Sequence, residues 1–263
     1  MHPTEPVLNN EQPTREPRLV QISDTHLLAA PDARMRGVDT RREFERLLAG
    51  AGPAVADAEL LLLTGDLAED GEAAAYRWLA DRLEGCGTRR VALPGNHDAP
   101  ALLADHFEAP LVAQGLALEL GGWRLLLLDT TVAGESSGEL SEARLAWLRR
   151  ELRRDEQRPV LLAIHHPPLE LGSPWIDAIS LRDGETLHAL LRDAGTVRGV
   201  LFGHAHQAFD RTRDGVRYLG CPSSCVQFTP GSEVPEVDDL APGWRELTLR
   251  ADGRIDTQVC RAE

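Results

Sequence analysis

The sequence contains no lysine, and all 28 of its basic residues are arginine. This absence excludes a P-loop lysine, a Schiff-base lysine and a lysine general base, together with the enzyme classes that need them. Long apolar runs are also missing, because no stretch approaches the ~20 residues of a membrane-spanning helix. The N-terminus has neither the basic start nor the apolar core of a signal peptide, so we expect a cytoplasmic protein.

Positive charge and cysteine are scarce as well. The 28 basic residues face 42 acidic residues, which gives a formal net charge of −14. Such a surface repels nucleic acid and membranes of anionic lipid, so we expect neither as a partner. A small phosphate ester is still compatible with it, since bound metal ions supply local positive charge. The four cysteines match no zinc or thioredoxin spacing and indicate reduced thiols: Cys86, Cys221, Cys225 and Cys260.

Short apolar runs alternate with amphipathic stretches along the 263-residue chain. This alternation, followed by a β-rich C-terminal part, predicts an α/β layered fold. The predicted strands are 18–22, 60–64, 91–93, 116–120, 123–129, 160–164, 197–202, 216–219, 244–249 and 255–259. The predicted helices are 40–49, 71–83, 141–152 and 185–194. The proline-rich residues 1–17 are predicted to be a flexible tail before a single domain at 18–263.

Five clusters of metal-competent residues each follow a predicted strand. They are Asp24-Thr25-His26, Gly65-Asp66, Gly95-Asn96-His97-Asp98, His165-His166 and Gly203-His204-Ala205-His206. Ligands of open α/β sheets bind beyond the carboxyl ends of the strands, so we expect all five clusters at one rim. An extended backbone would turn both residues of Asp-x-His and His-x-His to the same side. Asp, Asn and His side chains suit Mn, Fe, Zn or Mg, which predicts a metal site.

Taken in order, these clusters resemble the calcineurin-like metallophosphoesterase superfamily, whose pattern is D-x-H, G-D, G-N-H-D/E, H and G-H-x-H. The resemblance spans Arg18 to Ile255 and implies a four-layer α/β/β/α sandwich with two mixed sheets. It also implies two divalent ions per chain, of Fe, Mn or Zn. The implied ligands are Asp24, His26, Asp66 and His206 for one ion, and Asp66, Asn96, His165 and His204 for the other.

The same resemblance implies that His97 and Asp66 are catalytic. His97 would lie over the phosphate and either stabilise charge or protonate the leaving oxygen. Asp98 would orient His97 by accepting a hydrogen bond from it. The two metals would clamp the phosphate and activate a bridging hydroxide for in-line attack. The residues implied to contact the substrate are His26, Asp66, Asn96, His97 and His206.

Flanking segments narrow the resemblance to the bacterial cyclic-AMP phosphodiesterases often called class III. These segments are 21–27, 138–142, 175–177, 180–182, 222–228 and 241–245. They imply hydrolysis of 3′,5′-cyclic AMP to 5′-AMP, with a cyclic nucleotide as the small-molecule partner. Chemistry alone supports two interpretations of segment 222–228 equally. In the first, Ser223, Ser224 and Gln227 hydrogen-bond a nucleoside and Phe228 or Trp175 stacks on a purine; in the second, the segment is a packed turn.

Several alternatives stay open at this point. The chain is a cyclic-nucleotide phosphodiesterase, another phosphoesterase of the superfamily (for nucleotides, glycerophosphodiesters or phosphoproteins), or a non-enzymatic scaffold of the same fold. Retention of all seven implied ligands argues against the scaffold.

Three further segments have two interpretations each. Gly134–Gly138 fits the G-x-S-x-G of a serine hydrolase, but it lacks a strand directly before it and a helix directly after it, so we interpret it as a loop. His166 either assists the site or fixes a turn. The acidic residues 233–239 form either a solvated loop or a loop at the rim of the site. The sequence determines neither the identity of the metals nor the choice between a monomer and a homodimer.

Overall fold

The computed structural model describes residues 16–110, 114–155 and 157–263. The predicted tail, residues 1–17, lies outside them apart from its last two residues. The helices are α1 (Thr40–Asp57), α2 (Ala73–Leu83), α3 (Pro100–Ala104), α4 (Glu142–Arg154), α5 (Pro174–Asp177) and α6 (Gly184–Ala194), with a 3₁₀ turn at Glu84–Cys86. The strands are β1 (Arg18–Ile22), β2 (Leu60–Thr64), β3 (Arg89–Leu93), β4 (Leu116–Leu120), β5 (Trp123–Leu127), β6 (Val160–Ala163), β7 (Val197–Phe202), β8 (Phe209–Arg213), β9 (Val216–Gly220), β10 (Gln227–Phe228), β11 (Val237–Asp238), β12 (Gly243–Leu249) and β13 (Ile255–Arg261).

Two mixed sheets form the centre of the molecule. The five-stranded sheet has the order β13-β12-β1-β2-β3, in which β1, β2 and β3 are parallel and β12 and β13 are antiparallel additions. The six-stranded sheet has the order β4-β5-β6-β7-β9-β8, with β5, β6, β7 and β9 parallel. Parallel strands with apolar residues on both faces are typical of sheets covered on both sides.

Apolar side chains alternate between two different cores along these strands. In β2, Leu60 and Leu62 pack against the six-stranded sheet, while Leu61 and Leu63 pack against α1, α2 and α3. The outer face of the six-stranded sheet is covered by α4 and α6, for example where Leu162 joins the core of both helices. Fully burying one such leucine contributes about 1.5–3 kcal/mol relative to leaving it exposed. The predicted four-layer α/β/β/α sandwich is confirmed.

Helix α1 is longer than the sequence predicted. Its N-cap is Asp39, whose side chain accepts from a backbone N–H in the first turn at 3.0 Å. The helix also continues beyond Ala49 and through Pro53 to its end at residue 57. Val55 and the other buried residues extend one stripe along the whole helix, so packing on the sheet outweighs the missing donor of Pro53.

The remaining differences concern short elements. Helices α3 and α5 and strand β8 were not predicted, and the acidic segment 233–239 contains β11, which pairs with β10. Gly134–Gly138 lies in the connection between β5 and α4, which confirms the loop interpretation. All four cysteines are free. Among the described residues, no helix is both long enough and apolar enough to cross a membrane.

Candidate metal centre

The five clusters lie where β1, β2, β3, β6 and β7 end. The expectation of a single rim was incomplete, because the first three strands belong to one sheet and the last two to the other. Several contacts join the sheets at this edge, two of which involve backbone groups of the clusters or of the strand before them. The backbone N–H of His204 donates to Asp24 Oδ1 at 2.9 Å, and Nδ1 of His165 donates to the carbonyl of Thr64 at 2.8 Å. The clusters therefore meet across the boundary between the sheets.

Most of the non-glycine residues with left-handed backbone, among the residues that the structure describes, lie in these clusters. Among the described residues, five of the seven non-glycine residues with positive φ are Asp24, His26, Asp66, His204 and His206, with φ between 43° and 65°. Such angles are unfavourable for residues with a Cβ and persist where surrounding contacts impose them, commonly at functional sites. The expected extended geometry of Asp-x-His and His-x-His is therefore wrong, since the chain leaves the strands in tight turns.

The side chains form two neighbouring groups of potential ligands. Asp24, His26 and His206 offer ligand atoms within 4.8 Å of one another, and Asp24, Asp66 and His165 do the same. Nε2 of His26 faces Nε2 of His206 at 3.0 Å. Oδ2 of Asp66 lies 3.3 Å from Nε2 of His165 and 3.7 Å from Nε2 of His26. Asp66 consequently lies between the two groups.

Asn96 and His204 complete the second group. Oδ1 of Asn96 lies 3.3 Å from Nε2 of His165, and Nδ1 of His204 lies 3.2 Å from the same nitrogen. The structure thus brings together all the residues expected to bind metal: Asp24, His26, Asp66, Asn96, His165, His204 and His206.

Hydrogen bonds at the back of the rings decide which nitrogens are free for a cation. His165 and His206 each donate from Nδ1 to a backbone carbonyl, at 2.8 and 2.7 Å, so that Nε2 of each ring faces the other potential ligands. Buried Asp24 Oδ2 and His204 Nε2 have no hydrogen-bond partner among the described residues. Leaving a buried polar atom unpaired costs about 1–3 kcal/mol, which a cation at this place would offset. This set of oxygen and nitrogen donors fits divalent Mn, Fe or Zn.

The pKa values of the side chains in the centre indicate that charged and neutral potential ligands lie close together. Burial raises the pKa of Asp24 to about 6. Burial also opposes ionisation of Asp66, but His165, His26 and His97 outweigh it and hold the pKa of that carboxyl well below its usual range. Desolvation lowers the pKa values of His204 and His206, which keeps both rings in the neutral form that binds metals.

Two glycines permit the close approach of the clusters. A Cβ on Gly95 would lie 2.2 Å from Oδ1 of Asp66, and a Cβ on Gly65 would lie 2.4 Å from Nδ1 of His165. Gly65 also has φ of +92°, which favours glycine. The G-D and G-N-H-D patterns therefore need their glycines because a side chain would occupy the place of a potential ligand.

His97 lies at the opening of the centre, and its side chain is 37% exposed. Its backbone N–H donates to Oδ1 of Asp66 at 3.0 Å, which ties it to the middle of the site. Nδ1 of the ring donates to the carbonyl of Glu69 at 3.0 Å. Nε2 has no hydrogen-bond partner among the described residues, so it is available to a substrate.

The expected contact between Asp98 and the His97 ring is corrected by the structure. The Asp98 carboxylate accepts hydrogen bonds of 2.9 to 3.1 Å from the backbone N–H groups of Leu67, Ala68 and Gly95 and from the hydroxyl of Tyr76. Neighbouring side chains of this turn point to different sides, so Asp98 fixes the loop after β2 while the ring of His97 is held by residue 69.

Glu69 is a candidate that the sequence analysis missed. Its Oε2 lies 2.6 Å from Nδ1 of His26 and 3.4 Å from Nδ1 of His97, so it contacts both a potential ligand and the expected catalytic histidine. The only signal in the sequence is its position three residues after Asp66. That signal is obscured because Glu69 lies in the acidic run 69–72, which resembles a solvated turn.

Replacing Glu69 with glutamine is expected to weaken metal affinity or turnover by roughly 10–100-fold, the usual cost of losing a group behind a metal ligand. The neutral amide no longer supports the ring of His26. Metal affinity is measured by competition with a chelator, and turnover by phosphodiester hydrolysis. Glu72→Gln is the matched control, because Glu72 is exposed and lies on the same acidic run. Equal metal affinity and turnover in the two variants would show that Glu69 does not support the centre.

His166 lies behind the potential ligands. Its ring centre is 4.9 Å from that of His165 and 4.7 Å from that of His204, and Nδ1 lies 2.8 Å from Oγ1 of Thr130. The residue is completely buried. Of the two interpretations of this residue, the structure favours a fixed position in the wall of the centre.

A cavity of about 490 Å³ opens onto the centre. Its size falls in the range of about 300–1,000 Å³ that small-molecule sites have. The polar part of its lining is His26, Asp66, Glu69, Asn96, His97, Ser136, His204 and His206. The rest of its lining is apolar or basic: Leu28, Arg34, Met35, Arg36, Trp175, Ile176, Ile179 and Phe228.

Comparison with known proteins places this centre in a family. Residues 17–208 match the family described as calcineurin-like phosphoesterase. The chain is 39% identical over 245 residues to the 3′,5′-cyclic adenosine monophosphate phosphodiesterase CpdA of Escherichia coli (strain K12), covering 93% of this chain and 89% of that protein. It is 37% identical over 243 residues to a 3′,5′-cyclic-nucleotide phosphodiesterase of Nostoc sp., covering 92% of this chain and 91% of that protein.

A solved structure shares the fold. A dimetal phosphatase from Danio rerio superposes with a TM-score of 0.69 at 16% identity, covering 95% of this chain and 100% of that chain. The solved structure thus shows the fold, while the sequence matches span most of the chain. The chain belongs to the calcineurin-like phosphoesterase family.

Proposed function

We propose that this protein hydrolyses 3′,5′-cyclic AMP to 5′-AMP. The observation that carries the proposal is the cluster of seven potential ligands beside one cavity, whose lining includes five of them, in a chain whose curated relatives are named as cyclic-nucleotide phosphodiesterases. We infer two divalent ions of Fe, Mn or Zn. One would be held by Asp24, His26, Asp66 and His206, and the other by Asp66, Asn96, His165 and His204.

When bound, such ions neutralise charge on the phosphate and lower the pKa of water, which supplies the nucleophile. The protein contributes the fixed geometry of the ligands. Asp66 would serve both ligand groups, because its carboxylate lies between them and its pKa is held well below the usual range. His165 and His206 keep their orientation because backbone carbonyls hold their Nδ1 atoms. Such preorganisation is how a site stabilises charge without moving during the reaction.

His97 is proposed to act on the phosphate from the opening of the cavity. The oxygen of water forms a bond to phosphorus while the bond from phosphorus to O3′ breaks, which opens the ring and gives 5′-AMP. The departing O3′ gains a proton, and Nε2 of His97 is placed to donate it or to stabilise the developing charge. We propose that the substrate phosphate contacts His26, Asp66, Asn96, His97 and His206.

The acidic surface supports a small substrate. With a net charge of −14, the protein repels polyanions such as nucleic acid and anionic membranes. We therefore propose a cyclic nucleotide as the ligand. The cytoplasm as the location is a separate proposal that does not rest on the charge.

Metal-loaded protein is expected to form 5′-AMP from 3′,5′-cyclic AMP faster than it cleaves a generic aryl phosphodiester, and to stop when EDTA is added. Chromatography of the nucleotides measures the product, and adding Mn, Fe or Zn separately to the metal-free protein identifies the active ion. Cleavage of the aryl ester alone would contradict the cyclic-AMP assignment and leave a phosphoesterase. Failure to cleave either ester would favour a non-enzymatic scaffold.

A further inference from the structure

Arg36 stands at the tip of a tight turn beside the cavity. Met35 and Val38 pair through two backbone hydrogen bonds of 3.0 and 2.9 Å, and the residues between them, Arg36 and Gly37, have φ of 50° and 83°. These features define a type I′ turn, in which Asn, Asp or Gly is usual at the first central position. An arginine at that position is strained, and strain of this kind is concentrated at functional sites.

The guanidinium of Arg36 contacts an aromatic ring but has no polar partner among the described residues. Its central carbon lies 5.4 Å from the centre of the Phe228 ring. Among the described residues, it has neither a carboxylate partner nor a hydrogen bond, whereas Arg34 in the same loop pairs with Asp39 at 3.1 Å. In a chain with 42 acidic residues, an arginine in a cavity wall that keeps all its donors free is notable. Its planar group is therefore available to a ligand.

Aromatic rings connect Arg36 to the metal centre. The Phe228 ring centre is 4.7 Å from that of His206 on one side and 4.9 Å from that of Trp175 on another. Buried Met35 packs with Phe228 and half-buried Trp175 in one apolar cluster. Arg36 thus lies one ring beyond a potential metal ligand, which is too far for a phosphate seated on the ligands but suits the other end of a nucleotide.

We propose that Met35, Arg36, Trp175 and Phe228 form a base pocket that binds the nucleobase of the substrate. The proposal rests on the cyclic-nucleotide activity proposed above. With the phosphate at the metal ligands, the ribose separates it from the base, which then reaches the apolar end of the cavity. Flat bases stack on aromatic side chains and on arginine planes. Arg36 and Trp175 therefore determine specificity and do not act on phosphorus.

The test compares wild-type protein with Arg36→Ala and Trp175→Leu on two substrates. One is 3′,5′-cyclic AMP, and the other is the base-free ribose 3′,5′-cyclic phosphate. We expect kcat/KM for cyclic AMP to fall by about ten-fold or more in each variant, mainly through KM, because stacking contributes equally before and during the reaction. The base-free substrate lacks the stacking group, so its kcat/KM should stay the same in all three proteins.

Arg211→Ala is the matched control. Its guanidinium lies 4.9 Å from the Phe209 ring, a similar stack outside the lining of the cavity, and the variant should cleave both substrates like the wild type. Binding gives a second readout. Adding 5′-AMP to metal-loaded protein should quench tryptophan fluorescence in the wild type and not in Trp175→Leu, whereas inorganic phosphate should bind both proteins equally.

The outcomes separate the base pocket from the proposed activity. Two outcomes would refute the base pocket while leaving the proposed activity in place, provided that wild-type protein cleaves cyclic AMP. In the first, the variants lose activity equally on both substrates; in the second, they lose activity on neither substrate. If wild-type protein cleaves no cyclic nucleotide, the proposed activity is wrong. Quenching by 5′-AMP that persists in Trp175→Leu would overturn the base pocket in either case.

Discussion

Replacing Asp66 with alanine is expected to abolish phosphodiester hydrolysis and metal binding together. The two carboxylate oxygens make different contacts, because Oδ1 accepts from the backbone of His97 at 3.0 Å, whereas Oδ2 lies within 3.7 Å of Nε2 of His26 and His165. Losing a group behind a ligand costs roughly 10–100-fold, so the loss of the central ligand should cost at least about 10³-fold. Metal content by elemental analysis and turnover of cyclic AMP measure the two effects.

The variant Asp66→Asn removes the negative charge of the side chain while keeping its shape, so it separates the effects of the two. The amide oxygen can still accept from the backbone of His97, but the negative charge between the two ligand groups is gone. We expect this variant to fold like the wild type, as measured by thermal unfolding of the metal-free proteins, and to lose metal and activity like the alanine variant. Full metal content and turnover in Asp66→Asn would refute a central role for this carboxylate.

Replacing His97 with alanine is expected to lower turnover by about 10²–10⁴-fold while the metal content stays nearly unchanged. The side chain lies at the opening of the cavity, and its Nε2 has no partner among the described residues. The seven potential ligands keep their contacts when it is removed. Steady-state kinetics with cyclic AMP and elemental analysis of the purified variant measure the two quantities.

Substrates with different leaving groups distinguish between the two proposed roles of His97, proton donation and charge stabilisation. A nitrophenolate departs without a proton, whereas the O3′ of a ribose needs one. If His97 donates that proton, His97→Ala should lose far more activity on cyclic AMP than on a nitrophenyl diester, and if it only stabilises charge, the losses should be similar. His106→Ala is the control, since this histidine lies after α3 and outside the cavity lining. Unchanged turnover of both esters in His97→Ala would exclude a catalytic role.

The sequence was sufficient to predict the layers and the potential ligands. Apolar runs of strand length are readable where a strand is buried on both faces, as Leu60 to Leu63 are. Clusters such as Asp24-Thr25-His26 stand out because polar residues directly after a buried strand have few structural explanations. The order of the clusters then indicates a family, and the resemblance to that family implies the four-layer sandwich.

The sequence could not provide the contacts that depend on partners distant in the chain. Nothing local assigns β3 and β6 to different sheets, and the left-handed turns after the strands follow from packing between those sheets. Dependence on distant partners also explains why the sequence assigned to Asp98 the contact with the His97 ring that Glu69 makes in the structure. Which of two nearby carboxylates meets the ring of His97 depends on the path of the loop after β2, and adjacency in the sequence favoured the wrong one.

Because the centre lies across the two sheets, metal binding would affect the stability of the fold as well as catalysis. Asp24 and Asp66 come from the five-stranded sheet, and His165 and His206 come from the six-stranded sheet, so each ion would have ligands in both halves. A bound ion therefore acts as a cross-link, and its binding free energy adds to the free energy of unfolding. Metal supply in the cell would then set the lifetime of the folded protein as well as its activity.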